Sequence, residues 1–284
     1  MYAALEAGGT KFICGIGTSP DDLRTVQIPT TEPGVTIDAV TEFLRSAGAG
    51  KLKAVGIGSF GPICTDPHSL AWGHITSTPK LAWRNCNLAG PIREALGIPV
   101  GFDTDVNAAA LGEARWGAAQ GVADFVYLTV GTGIGGGAIA RNRVIHGTSH
   151  PEMGHIRIPH DLAGDPFPGV CPYHGDCLEG LASGPAIQAR WGQPAENLPP
   201  DHPAWQLEAR YLALAIANFA FTLSPARVIL GGGVMRKQHL FAKVRTQLAQ
   251  LLNGYIVQPE IGPPALGNRA GVCGALVLAE QAIR

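Results

Sequence analysis

Two widely separated stretches of this sequence repeat one pattern: an apolar strand, a glycine-rich turn and a second apolar strand. The first runs Tyr2-Ala3-Ala4-Leu5-Glu6, breaks at Ala7-Gly8-Gly9-Thr10-Lys11 and resumes as Phe12-Ile13-Cys14-Gly15-Ile16. The second runs Phe125-Val126-Tyr127-Leu128-Thr129-Val130, turns through Gly131-Thr132-Gly133-Ile134-Gly135-Gly136 and resumes as Gly137-Ala138-Ile139-Ala140. Short β-branched and aromatic runs bounded by glycine read as hairpins, and meeting one twice argues for an internally duplicated α/β chain. The pattern predicts helices over Thr36 to Ala47, Val106 to Trp116, Trp205 to Leu223 and Ala270 to Ile283, with strands over Ala54 to Ser59 and Arg227 to Leu230. Such alternation implies a mixed sheet covered by helices. The lobe boundary falls near Gly117 to Gly121. The expected lobes are therefore residues 1–118, joined by the closing helix at about 270–284, and residues 119–269, the latter carrying a Pro-, Gly- and His-dense insertion at about 146–203.

A chain of 284 residues can bury a substantial core or divide into two lobes. Its 21 Lys and Arg balance 22 Asp and Glu, a formal charge of -1, so no positive field draws it to nucleic acid or anionic lipid. A small-molecule partner is expected. No apolar run reaches the length of a membrane span, and the opening residues lack a basic, apolar signal, so the expected location is cytoplasmic. Of six cysteines only Cys171 and Cys177 cluster, and in a reducing compartment a cluster points to metal rather than to disulfides.

Gly8-Gly9-Thr10-Lys11, Gly131-Thr132-Gly133 and Gly231-Gly232-Gly233 each follow a strand. Glycine lets backbone N–H groups approach phosphate oxygens, and it equally suits a tight hairpin; three such turns together suggest a nucleotide clamp. None fits the P-loop pattern. The second matches the dinucleotide spacing G-x-G-x-x-G, but a strand rather than a helix follows it, which disfavours a Rossmann domain. Asp103-Thr104-Asp105-Val106-Asn107 closes the strand Pro99-Val100-Gly101-Phe102 and opens the alanine-rich helix, so a carboxylate should stand at a strand's carboxyl edge, where α/β folds bind ligands. Asp105 is a candidate general base and equally a candidate helix cap. His155, Cys171, His174 and Cys177 offer four ligands, the last three as C-x2-H-x2-C, the number and type that tetrahedral zinc takes. A closed four-ligand site is structural, which weakens an unrelated zinc hydrolase, a reading that would need no ATP. His146, His150 and His160 read as solvated loop residues.

Over nearly its whole length the sequence resembles the ROK family of sugar kinases and related repressors, and within it the bacterial fructokinase branch. Glu6-Ala7-Gly8-Gly9-Thr10-Lys11 looks like the family's first phosphate loop, Gly131 to Gly137 like its second, and Gly231-Gly232-Gly233-Val234 like the turn beneath the adenosine. Pro151-Glu152-Met153-Gly154-His155 resembles the E-x-G-H sugar motif, and Cys171 to Glu179 the zinc loop. The resemblance implies an actin-like, ribonuclease H-like two-lobe ATPase fold with duplicated domains and a zinc-binding loop, with ATP and sugar meeting between the lobes. It implies Asp105 as the base that deprotonates the sugar hydroxyl, with Thr104, Asp105, Glu152, His155 and Glu179 as sugar contacts. Gly8, Gly9, Thr10, Lys11, Gly131, Thr132, Gly133, Gly231, Gly232 and Gly233 would hold ATP, Glu6 would help hold Mg²⁺, and His155, Cys171, His174 and Cys177 a structural Zn²⁺. A homodimer is also implied.

Many members carry Asp where Glu6 stands, Asn where Thr104 stands, and C-x-C-x4-C in the zinc loop. Glu6 and His174 go with the fructokinase branch, as do Gly58-Ser59-Phe60-Gly61-Pro62 and Thr76-Ser77-Thr78-Pro79-Lys80, from which Ser59, Thr78 and Lys80 are candidates to line the sugar side. The expected reaction is ATP-dependent phosphorylation of fructose at its 6-hydroxyl, with glucose, mannose or N-acetylmannosamine as alternative acceptors. A non-catalytic sugar-sensing repressor of this family would carry a DNA-binding helix-turn-helix ahead of the first strand, for which the sequence before Tyr2 leaves no room.

Overall fold

The computed structural model describes residues 1–48 and 50–284. In chain order the strands are β1 (Tyr2–Ala7), β2 (Lys11–Gly17), β3 (Arg24–Pro29), β4 (Val55–Ser59), β5 (His74–Ile75), β6 (Cys86–Asn87), β7 (Val100–Thr104), β8 (Phe125–Val130), β9 (Ile134–Ala140), β10 (Arg143–Val144), β11 (Arg227–Gly231) and β12 (Glu260–Gly262). The helices are α1 (Pro33–Gly48), α2 (Ala89–Leu96), α3 (Asp105–Trp116), α4 (Leu178–Ala182), α5 (Gly184–Trp191), α6 (Ala204–Leu223), α7 (His239–Leu252) and α8 (Ala270–Gln281). Two compact units result: Met1–Gly121 with Val144–Pro151 and Ala265–Arg284, and Val122–Arg143 with Glu152–Pro264. Among the described residues no helix is long and apolar enough to cross a membrane.

The duplication visible in the hairpins extends to the whole topology. The first unit's five-stranded sheet has the order β3-β2-β1-β4-β7, and the second unit's has β10-β9-β8-β11-β12. Each central hairpin pairs antiparallel, from Tyr2↔Gly17 to Ala7↔Phe12 in one and from Phe125↔Ile139 to Val130↔Ile134 in the other. The next strand inward then runs parallel to the hairpin's first strand, β4 to β1 and β11 to β8. Parallel neighbours need a crossover, and α1 and α6 supply it. In the first unit one sheet face buries Leu5, Phe12, Ile57 and Trp83 with Val40 and Leu44 of α1. The other face buries Ala4 against Val272, Ala275 and Leu276 of α8. Gly56 of β4 makes that contact intimate, since a Cβ there would stand 1.8 Å from the Ala275 carbonyl oxygen.

Several sequence expectations need correction. The second glycine turn is shorter than read: β9 begins at Ile134, and Gly135 and Gly136 pair with Thr129 and Leu128 inside the ladder. The missing side chain of Gly136 makes room for Met153, whose Sδ would lie 2.7 Å from a Cβ there. The stretch 146–203, dense in Pro, Gly and His, contains α4 and α5; Pro185 sits in the first turn of α5, where a missing N–H costs nothing, and Ser183 caps that helix. The pattern also passes over β3, α2 and α7, which are short or polar on their outer faces.

Candidate active site

In the first unit, β7 delivers Asp103 and Thr104 to the start of α3. Thr104 has extended geometry, and its hydroxyl accepts the Asn107 N–H at 3.1 Å, so Thr104 is the helix cap. That resolves the two readings of Asp105: it stands one residue inside the helix, partly exposed, with Oδ1 accepting the Val106 N–H at 2.8 Å. Thr104, expected among the sugar contacts, is 4% exposed, and its hydroxyl accepts the cap hydrogen bond. Buried Asp103 accepts from the Thr104 N–H at 2.7 Å and from Asn107 Nδ2 at 2.8 Å, and pairs with His146 Nε2 at 3.0 Å. Asp103 thus holds the first turn of α3 that presents Asp105.

Glu6, near the end of β1, faces the first turn of α8. A Cβ on Gly271 would lie 2.5 Å from Glu6 Cδ, and the Val272 N–H donates to the carboxylate. Its Oε2 is buried and has no hydrogen-bond partner among the described residues. Burial and, second, the charge of Asp105 raise Glu6 from its ordinary 4.5 to about 7, against smaller opposing effects of the Val272 N–H and Lys11. A withdrawn acid beside another acid, with one oxygen unpaired, suits a site completed by a cation. The first glycine turn leads on from Glu6: Gly8 N–H donates to the Lys11 carbonyl at 3.1 Å, and Thr30 braces the turn by donating from its hydroxyl to the Gly8 carbonyl at 2.8 Å.

In the second unit the structure brings together the other two glycine turns and the sugar motif. Gly131 N–H donates to the Gly133 carbonyl at 2.9 Å, and the Gly131 carbonyl accepts the Gly184 N–H at 2.7 Å. Gly232, at φ +91, starts the turn after β11, and the Gly233 nitrogen would lie 3.8 Å from a Cβ on Gly131. Glu179, in the first turn of α4, accepts the Ile134 N–H at 2.9 Å through Oε2. The glycine of Glu152-Met153-Gly154-His155 rests on β9, where a Cβ would fall 1.7 Å from the Ile134 carbonyl oxygen. The glycine of the motif and the Glu179 carboxylate therefore meet at Ile134, the first residue of β9.

His155, Cys171, His174 and Cys177 gather their ligand atoms within 4.8 Å of one another. His155 Nδ1 lies 3.2 Å from His174 Nδ1, 3.7 Å from Cys171 Sγ and 3.6 Å from Cys177 Sγ; His174 Nδ1 is 3.6 Å from Cys171 Sγ. Zinc–nitrogen bonds of ~2.0–2.1 Å and zinc–sulfur bonds of ~2.3 Å at tetrahedral angles require about 3.3 Å between nitrogens and about 3.6 Å between nitrogen and sulfur. The donor set fits zinc in chemistry and in spacing, and leaves the Nε2 of His155 outside it.

Of the three histidines expected to be solvated, His146 is exposed, whereas His150 and His160 are not, and all three have partners. His146 is held by Asp103, which raises its pKa; His150, 7% exposed, accepts the Ile63 N–H at 3.0 Å through Nε2; His160 lies 2.9 Å from the Asp165 carbonyl and 3.2 Å from the Asp176 carboxylate. Ser59 and Thr78 do not line a wall either: both are buried, Ser59 donating to the Phe60 carbonyl at 2.9 Å and Thr78 accepting the Lys80 N–H at 3.4 Å.

Two copies of one five-stranded topology, with glycine turns at the hairpin tips and an acid at the end of β7, define an actin-like ATPase fold. The ROK family model matches residues 2–282. The fructokinase of Zymomonas mobilis is 44% identical over 98% of this chain and 96% of its own, and that of Pediococcus pentosaceus 41% identical over 100% and 99%. The crystal structure of a ROK glucokinase from Streptomyces griseus with glucose and AMPPNP superposes with a TM-score of 0.76 at 27% identity, covering 99% of both chains. The chain belongs to the ROK family and has the ROK kinase fold.

Proposed function

We propose that this chain is an ATP-dependent fructokinase that transfers the γ-phosphoryl group to the 6-hydroxyl of fructose. The observation that carries the reading is identity above 40% to fructokinases over essentially the full length of both chains; the position of Asp105, released from capping by Thr104, supports it. Phosphoryl transfer asks a protein mainly for positioning and charge neutralisation. Asp105 takes the proton of the attacking hydroxyl as the oxygen–phosphorus bond forms and the bond to the bridging oxygen of ADP breaks. Glu152, Glu179 and the Nε2 of His155 bind other sugar hydroxyls, and the backbone N–H groups of Gly9 and Thr10, of Thr132 and Gly133, and of Gly232 and Gly233 bind the nucleotide, while the Gly8 and Gly131 N–H groups close their own turns. Magnesium, when bound with the nucleotide, supplies positive charge to the phosphates, and Glu6 is the carboxylate that would hold it. Zinc, held by His155, Cys171, His174 and Cys177, would fix His155 and Glu179 relative to the sugar without taking part in the reaction. A homodimer completes the reading and is checked by sedimentation.

Coupled ADP release with ATP and Mg²⁺ across fructose, glucose, mannose and N-acetylmannosamine tests the proposal. Fructose should be the preferred acceptor, and Asp105→Asn should lower turnover about 10²–10⁴-fold with zinc content unchanged. Turnover with none of the four sugars would overturn the reading, and a near-normal Asp105→Asn variant would overturn the base assignment alone.

A further inference from the structure

The Lys80 side chain reaches the first glycine turn. A Cβ built on Gly9, at the tip of the first glycine turn, would stand 3.3 Å from Lys80 Cε, so the end of this side chain lies across the turn. Lys11, the lysine expected to serve that turn, is exposed and donates from Nζ to Gln27 Oε1 of β3 at 3.2 Å. Lys80 is half-buried, and its ammonium makes no ion pair among the described residues.

The backbone end of Lys80 is firmly held. Its N–H donates to the buried Thr78 hydroxyl at 3.4 Å, and its carbonyl accepts the Trp83 N–H at 2.9 Å. Trp83, 1% exposed, packs on Phe12 and Phe60 with ring centroids 5.3 and 5.8 Å away, and its indole N–H donates to the Thr31 carbonyl at 2.8 Å. Phe12 follows the glycine turn and Thr30 braces it. Lys80 and the turn are therefore mounted on one packed block, as a group with a fixed target should be.

We propose that Lys80 is a further catalytic residue, its ammonium meeting the phosphoryl group as that group leaves the nucleotide for the sugar. The proposal rests on the kinase reading above. Asp105 accepts the hydroxyl proton, ADP departs with the electron pair of the broken bond, and the Lys80 ammonium balances charge on the non-bridging phosphoryl oxygens, which a preorganised cation does without reorganisation.

Steady-state kinetics of the full chain with Lys80→Met, Lys80→Arg and Lys80→Ala test it, with fold and zinc content checked by melting and metal analysis. Lys80→Met should lose about 10²–10³-fold in kcat while the KM for fructose stays within about threefold, and Lys80→Arg should recover part of the loss. Lys80→Ala should regain turnover with added ethylammonium but not with tetramethylammonium at equal ionic strength, a response no packing role would produce and one that still decides the matter if Lys80→Met folds poorly. A kcat near wild type, a loss confined to the fructose KM, or absence of amine rescue overturns the assignment. An active wild type beside an active Lys80→Met rejects Lys80 alone, whereas a wild type inactive on every sugar rejects the kinase reading itself.

Discussion

Glu6 gives the most exacting test of the first unit. Its carboxyl is raised from 4.5 to about 7, chiefly by burial and next by Asp105. At about 1.4 kcal/mol per pH unit, that rise means ionised Glu6 costs the ligand-free fold about 3 kcal/mol. The sign follows from proton binding. Between pH 4.5 and 7 the folded state holds this proton and the unfolded chain has released it, so stability falls as pH rises through that window and the full cost is present above it. Glu6→Gln keeps an acceptor for the Val272 N–H and removes the charge. Urea unfolding of wild type and Glu6→Gln, with zinc retained and no Mg²⁺ or nucleotide added, should show little difference near pH 4.5 and a gain for the variant approaching about 3 kcal/mol at pH 8. Asp105→Asn should give a smaller gain of the same sign, since the Asp105 charge is the second cause. The same Glu6→Gln variant should be a poor enzyme, because the destabilised acid is the proposed partner of the metal–nucleotide complex. A Glu6→Gln stability difference that does not change between pH 5 and pH 8 would refute the electrostatic argument, whatever its effect on turnover.

The second unit gives two further expectations. Gly133→Ala places a Cβ 2.6 Å from Glu179 Oε2 and must push that carboxylate off the Ile134 N–H; loss of a charged hydrogen bond at about 1.5–3 kcal/mol should raise the fructose KM by about 10- to 100-fold with zinc content intact, and an unchanged KM would separate Glu179 from the sugar. Cys177→Ser should lower bound zinc, depress the melting temperature by several degrees as linkage to a folded-state ligand requires, and raise the KM for fructose more than that for ATP; full zinc loading in this variant would remove Cys177 from the ligand set.

What was legible in one dimension was whatever is local. Each hairpin declares itself through strand-forming residues around its own glycine turn, and the duplicated sheet order follows once both are seen. The C-x2-H-x2-C array is local as well, and His155 lies only 16 residues before Cys171. Misreadings arose where the deciding partner is remote. His150 is buried on the Ile63 N–H across 87 residues, and nothing beside it distinguishes it from a polar residue in a Pro- and Gly-rich loop; His146 is exposed as expected, and what the sequence hides is its pairing with Asp103 across 43 residues. The two readings of Asp105, base and cap, have a different cause, since Asp is a good N-cap by type and only the backbone angles, extended at Thr104, give the cap to Thr104 instead.

Lys80 combines both difficulties. Its neighbours Thr76 to Pro79 made it look like part of a polar wall, but Thr78 turns inward to hold the backbone, and the lysine side chain reaches Gly9. That pairing depends on Trp83, whose contacts with Phe12 and Phe60 bring the segment to the hairpin tip. The arrangement explains why a large, fully buried aromatic stands three residues beyond a cation. Trp83 sets the height of the segment above β2, and Lys80 spans what is left between that segment and the glycine turn.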